Sequence, residues 1–354
     1  MRYLFVLLMM LLWWPCLSHG AAPNLYSAEV EVADQGTEAR DEGMRKALLQ
    51  VLVKISGSRA PLQDPALQQA LSRAASHVQR FQYRNEPLTP TRQHPDEQGV
   101  LQTSRLLMEV EFESRGVQQL LRSHGYPVWG QVRPQVLVWI GVDDGVQRQL
   151  VGADDGGLVR LVLERRAEQR GLPLRLPLLD LGDRQQVEVA DIWGGFFDNL
   201  LRASQRYQTE AVLIGRLGRV GQQWEVQWTL IHEAERQHWR ERGNDVEPLL
   251  ALGVEESAEW LASRFAQFSG DSEGILLLRV EGVDSLADYR RVIDHLTAIS
   301  GVRALRMQRI NDQEMQLGIE LDGGRESLQR TLAMGRVLEV QDSDSQQIRI
   351  RLRR

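Results

Sequence analysis

The chain has 354 residues, of which 42% are hydrophobic and 25% are charged, so it is long enough to bury more than one core and too apolar to be a disordered tail. Its 42 basic and 48 acidic side chains give a net charge of -6, which excludes a polycationic nucleic-acid binder as the default class. We therefore expect a globular protein of two or three domains with no nucleic-acid partner.

The amino terminus has the pattern of a secretory signal peptide. Arg2 gives a short positive flank, the run Leu4–Trp14 is apolar throughout, and small residues follow. We expect cleavage after Gly20 or Ala21, so that residues 1–21 form the leader. The apolar run is shorter than the roughly 20 residues that a membrane-spanning helix needs. We therefore predict no transmembrane anchor after cleavage and a periplasmic or secreted location.

The one cysteine, Cys16, falls inside this leader. The exported chain would then have no disulfide, no thiol nucleophile and no thiolate metal ligand, although its compartment would permit disulfides. We expect packing alone to stabilise the fold, and we predict no metal site and no cofactor.

Residues 24–130 predict an N-terminal α+β unit that begins with an alternating strand, Leu25–Val32. The following apolar residues recur at the spacing of one continuous helical stripe, and Gly57 stands where a left-handed cap would end that helix. The stripe consists of Met44, Ala47, Leu48, Val51, Leu52 and Ile55. A second helix is expected at about residues 64–75, and Pro127 and Pro134 bracket a predicted linker.

Residues 134–269 predict a middle α/β layer domain in which strands alternate with helices. Its first strand, Val136–Val142, is almost entirely apolar, as expected for a strand covered on both faces. In a later strand the two-residue period places four apolar side chains on one face. These are Trp224, Val226, Trp228 and Leu230.

Residues 274–354 give the order β-α-β-β-α-β, which is that of the ferredoxin-like fold. The predicted fold class is therefore α+β and α/β multidomain. It combines the N-terminal α+β unit, the middle α/β layer domain and a C-terminal ferredoxin-like βαββαβ domain.

Three blocks of sequence carry a resemblance to a known family. They are Val51-Leu52-Val53-Lys54-Ile55-Ser56-Gly57, then Arg170-Gly171-Leu172-Pro173 with Pro177-Leu178 and Asp180, and then Ala203-Ser204-Gln205-Arg206-Tyr207 with Leu213-Ile214-Gly215-Arg216-Leu217. With their spacing, these blocks resemble a family of secreted Gram-negative proteins catalogued as domain of unknown function 2066, and this resemblance supplies no reaction. The middle domain is also similar in layout to the amino-terminal domain of the Tol translocation protein B, a likeness of fold alone.

Motifs for common catalytic classes are missing from the sequence, and we predict no catalytic residue. A P-loop needs Gly-Lys followed by Ser or Thr, but the two lysines, Lys46 and Lys54, follow Arg45 and Val53. A Gly-x-Ser-x-Gly nucleophile elbow is also missing.

Carboxylates are frequent near the predicted strand ends of the middle domain, where ligand crevices of α/β sheets form. Asp180, Asp183 and Asp191 could hold a divalent cation or act as an acid/base pair there. Aspartate is equally common in turns, so a purely structural role is the alternative.

A second candidate set is cationic. Arg166, Arg170 and Arg206, with Tyr207, could form a site for phosphate or carboxylate, because guanidinium groups bind such anions through two parallel hydrogen bonds. The alternative is that this chain, with only two lysines among 42 basic residues, uses arginine as its ordinary surface cation.

The segment Trp193-Gly194-Gly195-Phe196 places two glycines between bulky aromatic residues. Such a segment suits either core packing or a loop that contacts a partner. These observations favour a non-catalytic periplasmic or envelope-associated protein that acts through protein–protein contact, with an envelope protein as its partner. The alternative is a metal- or carboxylate-dependent hydrolase acting on a cell-wall or glycan substrate.

Overall fold

The computed structural model describes residues 24–87, 103–266, 275–311, 314–321, 325–343 and 347–353. The expected leader, residues 1–21 with Cys16, lies outside the described residues. In the described part the protein is a mixed α and β structure with three sheets and ten α-helices, which confirms the coarse fold class.

The N-terminal sheet is antiparallel and has the order β1-β3-β2. Its elements are β1 (Ser27–Val32), α1 (Thr37–Ser56), α2 (Pro65–Ala70), β2 (Val78–Pro87), β3 (Ser104–Phe112) and α3 (Ser114–Ser123). The predicted stripe of α1 is buried against this sheet. Gly57 adopts φ 72° and donates its amide hydrogen to Val53 O, which confirms the predicted cap. The expected second helix is shorter, because α2 continues as a 3₁₀ segment from Leu71 to His77.

The middle sheet has the order β5-β4-β7-β8-β9, with β6 paired to the start of β4. Its strands are β4 (Val136–Asp143), β5 (Arg148–Val151), β6 (Leu174–Arg175), β7 (Ala211–Val220), β8 (Gln223–His232) and β9 (Glu235–Gly243). Its helices are α4 (Leu158–Arg170), α5 (Leu181–Arg184), α6 (Val189–Gly194), α7 (Phe197–Ser204) and α8 (Val246–Phe265). Strand β4 is parallel to β7, whereas β7, β8 and β9 are antiparallel neighbours.

Both faces of this sheet are covered, which explains why β4 is apolar almost throughout. Val136, Val138 and Ile140 share a core with α4 and α8 on one face. Leu137 and Trp139 share a smaller core with α6 and α7 on the opposite face. The alternation of side chains along one strand therefore assigns each neighbouring residue to a different layer.

The C-terminal sheet has the order β11-β12-β10-β14-β13 and carries helices on one face. Its elements are β10 (Ile275–Glu281), α9 (Leu286–Ala298), β11 (Val302–Asn311), β12 (Glu314–Leu321), α10 (Arg325–Met334), β13 (Leu338–Ser343) and β14 (Gln347–Leu352). The four-stranded βαββαβ layout predicted from the sequence differs from this sheet, since β14 is a fifth strand that lies parallel beside β10. Strand β14 lies between β10 and β13, and its alternate residues Ile348, Ile350 and Leu352 are buried in the core beneath the helices.

The predicted linker between Pro127 and Pro134 is largely buried and joins the first two units. Trp129 donates its backbone amide to Ile55 O, and its ring lies 4.4 Å below the guanidinium of Arg133. Arg133 is 7% exposed and donates five hydrogen bonds of 2.8 to 3.1 Å, all to backbone carbonyls. These belong to Lys54, Trp129, Gly130, Arg170 and Gly171. One side chain therefore connects α1, the linker and the end of α4.

Candidate functional site

Asp180 and Arg206 form the centre of the site that the sequence suggested. Asp180 precedes α5, and Arg206 lies in the 3₁₀ turn that follows α7. The guanidinium binds the carboxylate through two hydrogen bonds, Nη1 to Oδ1 at 2.6 Å and Nη2 to Oδ2 at 2.8 Å. Asp180 also accepts the amide of Asp183, which is the usual role of an aspartate at a helix start.

Asp183 is fully buried beneath this pair. Its Oδ1 accepts from Arg206 Nη1 at 3.0 Å, and its Oδ2 accepts from the hydroxyl of Tyr207 and from the amide of Leu179 at 2.9 Å. The Tyr207 hydroxyl in turn accepts the amide of Leu178 at 2.8 Å. Because both oxygens of Asp183 accept hydrogen bonds within the cluster, one of them from a guanidinium, the carboxylate is buried with its charge compensated.

The cluster holds the backbone at Leu179 in the left-handed region, with φ 51°. That conformation is unfavourable for a residue with a branched side chain. The amide hydrogen bond from Leu179 to Asp183 fixes it, and Arg184 Nε donates to the Leu179 carbonyl at 2.7 Å. The hydrogen bonds of the cluster thus stabilise a strained turn between β6 and α5.

The ionisation of the cluster follows from these contacts. The hydrogen bonds from Arg206 hold the pKa of the Asp180 carboxyl well below its usual range, and those same bonds raise the pKa of Arg206. Burial, together with the hydrogen bond to Asp183, raises the pKa of Tyr207 to about 12. A general base that works near neutral pH needs a pKa near 7, and neither Asp180 nor Tyr207 is shifted toward that value.

Asp191, the third predicted carboxylate, has a different role. It lies in the first turn of α6, where Oδ2 accepts the amide of Glu188 at 2.8 Å and forms a capping box with that residue. Its Oδ1 accepts from Asn199 Nδ2 at 2.9 Å. The structure therefore brings Asp180 and Asp183 together and uses Asp191 to join α6 to α7.

The predicted arginines divide between the two faces of the middle sheet. Arg206 lies on the face of α5 to α7, whereas Arg166 and Arg170 belong to α4 on the other face. Arg170 is 2% exposed and donates to Glu255, to Glu259 and to the carbonyl of Gly57. Arg166 pairs with Glu255 at 3.4 Å. These two arginines hold α4 against α8 and the end of α1, so they do not share an anion site with Arg206.

Within the segment Trp193-Gly194-Gly195-Phe196, the tryptophan is packed in the fold and the phenylalanine is exposed. Trp193 packs on Gly141 of β4, where a Cβ atom would come within 2.3 Å of the ring, and the Arg148 guanidinium lies 5.0 Å from the ring centre. Gly195 ends α6 in the left-handed conformation, with φ 70°, and Gly194 lies beneath the ring of Phe196. Phe196 itself is 62% exposed. A partner could therefore reach Phe196, whereas Trp193 is fixed in the fold.

Two further apolar residues beside the ion cluster were missed by the sequence analysis. Leu178 and Leu181 flank Leu179-Asp180 in the chain and are 52% and 72% exposed. The signal that could have found them is Leu178-Leu179-Asp180-Leu181 itself, in which Asp180 caps a helix too short to bury both neighbouring leucines. The paired charges of this site are thus accompanied by exposed leucines.

The described part of the chain contains no group of three or more His, Cys, Asp or Glu side chains placed to hold a metal ion. No helix in the described ranges is both long enough and apolar enough to span a bilayer. A cleft of about 840 Å³ lies away from the ion cluster, between the N-terminal sheet and α4. Charged side chains line it, and Arg84 and Arg105 there are already paired with Glu29 and Glu86.

The N-terminal unit of the chain matches a known protein family. Residues 21–130 match the family described as "Domain of unknown function (DUF8605)". The resemblance to domain of unknown function 2066 is therefore wrong, because the family model that matches is a different one. The sequence blocks on which that resemblance was based also extend into the middle domain, beyond the residues that DUF8605 covers.

No curated protein matches the sequence. Among solved structures, the chain is similar to TolB from Acinetobacter baumannii, with 13% sequence identity and a TM-score of 0.22. The alignment covers 38% of this chain and 29% of the TolB chain, so it spans less than a third of that protein's length.

Proposed function

We propose that the protein is a non-catalytic periplasmic or envelope-associated protein that acts through contact with another envelope protein. Residues 24–130, 134–269 and 274–354 would form its three structural units. One observation supports this proposal more than any other. At the site suggested by the sequence, Asp180, Asp183, Arg206 and Tyr207 bind one another, while two adjacent leucines, Leu178 and Leu181, are exposed.

The chemistry of that arrangement favours binding over turnover. A catalytic carboxylate needs an open path to substrate and a pKa suited to proton transfer, whereas both oxygens of Asp183 are occupied in a buried setting. Covering exposed leucine and phenylalanine side chains with a partner stabilises the complex by roughly 25 cal/mol per Å² of apolar surface removed from water. Phe196 and Leu181 are therefore the residues through which we expect the middle domain to contact its partner.

Photo-crosslinking in intact cells tests this proposal. A photoreactive phenylalanine analogue would replace Phe196 or Leu181 in the full chain, expressed with its own amino terminus in a Gram-negative host. The matched control position is Val146, which is 93% exposed in the turn after β4. We expect one discrete adduct in the periplasmic fraction from positions 196 and 181 and none from position 146. Equal labelling at all three positions, or recovery of the chain only from the cytoplasm, would contradict the proposal.

A further inference from the structure

The C-terminal domain contains an open groove that no contact described above uses. It lies between α9 and the edge strand β11, and it consists of two adjoining cavities of about 660 and 400 Å³. Tyr289 of α9 and Met307 of β11 line both cavities. At the open end, Leu286 is 76% exposed and Ile310 is 57% exposed. Large apolar side chains thus border a groove whose two cavities each fall in the volume range of ligand-binding pockets.

Among the strands that the structure describes, β11 lies at the edge of its sheet and pairs with β12 alone. Residues 306–311 are all exposed. A strand in this position presents unpaired backbone amide and carbonyl groups, to which another extended chain can add. Irregular register at Val302/Ala304 and Met307/Arg309 limits the regular part of the edge to a few residues, so a short segment suits it better than a long strand.

The charges on β11 indicate what kind of segment fits. Its sequence from Val302 to Asn311 contains three arginines, Arg303, Arg306 and Arg309, and no acidic residue. Arg306 pairs with Glu320 on β12, and no carboxylate of the described residues pairs with Arg309. The helix side of the groove contributes one acidic residue, Asp284, beside the helix-capping Ser285. Arg309 therefore adds to the strand edge a positive charge that no described carboxylate offsets.

A second copy of the chain is a poor occupant of this edge. Two β11 strands paired antiparallel about Arg306 would place like charges directly opposite each other, which destabilises a sheet. A carboxylate in the same place would form a cross-strand pair with the arginine. The geometry and the charge both favour a segment with acidic residues on one face and apolar residues on the other.

We propose that the groove between α9 and β11 binds an extended acidic segment of an envelope protein by strand addition. Alternate apolar side chains of that segment enter the groove beside Met307 and Ile310. Its carboxylates lie on the other face, near Arg306 and Arg309. This inference rests on the proposed protein-contact function, and it assigns to the C-terminal domain a partner of defined chemistry.

Peptide binding to the full chain tests the inference. The probes are two fluorescein-labelled eight-residue peptides, one alternating valine with glutamate and the other alternating valine with lysine. Fluorescence anisotropy at low ionic strength should show at least about tenfold tighter binding of the glutamate peptide, with the difference shrinking as salt is added. Equal affinity for both peptides, or no binding of the glutamate peptide, would overturn the inference.

Two substitutions locate the binding to this edge. Arg309→Glu should weaken the glutamate peptide about tenfold and strengthen the lysine peptide, because it reverses the charge at the edge. The matched control is Arg349→Glu, which makes the same charge change on the exposed face of the interior strand β14 and should leave both affinities unchanged. Ile310→Asp should weaken both peptides by removing an apolar wall of the groove.

The remaining outcomes separate this inference from the proposed function. Circular dichroism would confirm that each variant is folded, and Arg309→Glu remains informative even if Ile310→Asp does not fold. If Arg309→Glu instead abolishes self-association measured by sedimentation, the occupant is a second copy and the inference is wrong. If the peptides fail to bind while Phe196 still crosslinks a periplasmic partner, the inference is lost and the proposed function stands.

Discussion

The indole ring of Trp228 lies so close to Gly215 that a Cβ atom on that glycine would come within 2.3 Å of ring carbon Cζ3. Gly253 of α8 makes a similar approach from the other side, with a Cβ distance of 2.4 Å to Cδ2. The indole nitrogen donates to Leu249 O at 3.0 Å. The tryptophan therefore fills the space between β7 and α8, and glycine at both positions makes that space available.

Substitution of Gly215 should overpack this core. We expect Gly215→Ala to lower the free energy of unfolding by about 1–3 kcal/mol or more, measured by urea denaturation. Gly218→Ala is the matched control on the same strand, because its Cβ would meet nothing closer than Asp143 Cβ at 3.5 Å. Adding Trp228→Leu to Gly215→Ala should cost less than the sum of the two single changes. Strict additivity would show that the close approach is not what destabilises the variant.

Removal of Arg133 should separate the first two units. Arg133→Met leaves five carbonyl acceptors without their donor, and we expect a loss of about 3–5 kcal/mol in unfolding free energy. Differential scanning calorimetry should then resolve two transitions where the parent chain shows a more cooperative one. Arg175→Met, at an exposed arginine of β6, is the control and should change little. A cost below about 1 kcal/mol for Arg133→Met would contradict the role given to this residue.

The two lysines of α1 should differ in how they respond to pH. Burial lowers the pKa of Lys54 to about 8 from an ordinary 10.5, and its Nζ donates to Ser27 O at 2.8 Å. Between pH 8 and 10.5 the unfolded chain holds more protons at this lysine than the folded chain, so its contribution to stability rises with pH. Lys54→Met should remove that rise, which amounts to about 3 kcal/mol over this range.

Lys46 provides the control for that experiment, because its side chain is 59% exposed on the same helix. Lys46→Met should leave the pH dependence of stability as it is in the parent chain. If the parent and the Lys54→Met variant show parallel stability curves from pH 8 to pH 10, the buried amine does not titrate as described.

Removing the hydroxyl of Tyr207 should destabilise the fold, whereas removing that of Tyr83 should not. Tyr207→Phe removes the donor to Asp183 and the acceptor for the Leu178 amide, and we expect a cost of about 1–2 kcal/mol. Tyr83 carries a buried hydroxyl without a hydrogen-bond partner among the described residues. Tyr83→Phe should therefore be neutral or slightly stabilising. Equal costs for the two changes would argue against a linked network around Asp183.

Periodic patterns in the sequence predicted the long elements well. The stripe on α1 and the left-handed Gly57 both follow from spacing along one helix, and the alternation of Val226 and Trp228 places them in one core. Such local patterns are reliable where an element is long enough to repeat them. The short helices α5 and α6 have too few turns to show a period, and they were not predicted.

The ion cluster shows which contacts local sequence patterns do not predict. Its residue types were identified from the sequence, but Arg206 meets Asp180 across 26 positions, and no local pattern states that contact. Arg170 was grouped with Arg206 because both are arginines in the same domain, yet the two lie on opposite faces of one sheet. The grouping of side chains into sites depends on topology, which spacing along the chain does not record.

Sequence similarity to DUF8605 ends at residue 130, three positions before Arg133. A fragment cut at that point would keep the Lys54 carbonyl and lose the guanidinium that binds it. The boundary of the family match therefore does not coincide with the boundary of a unit whose buried contacts are complete. Anyone who expresses the amino-terminal portion alone should extend it past the arginine and include the turn at Gly171 that completes the guanidinium's shell of carbonyls.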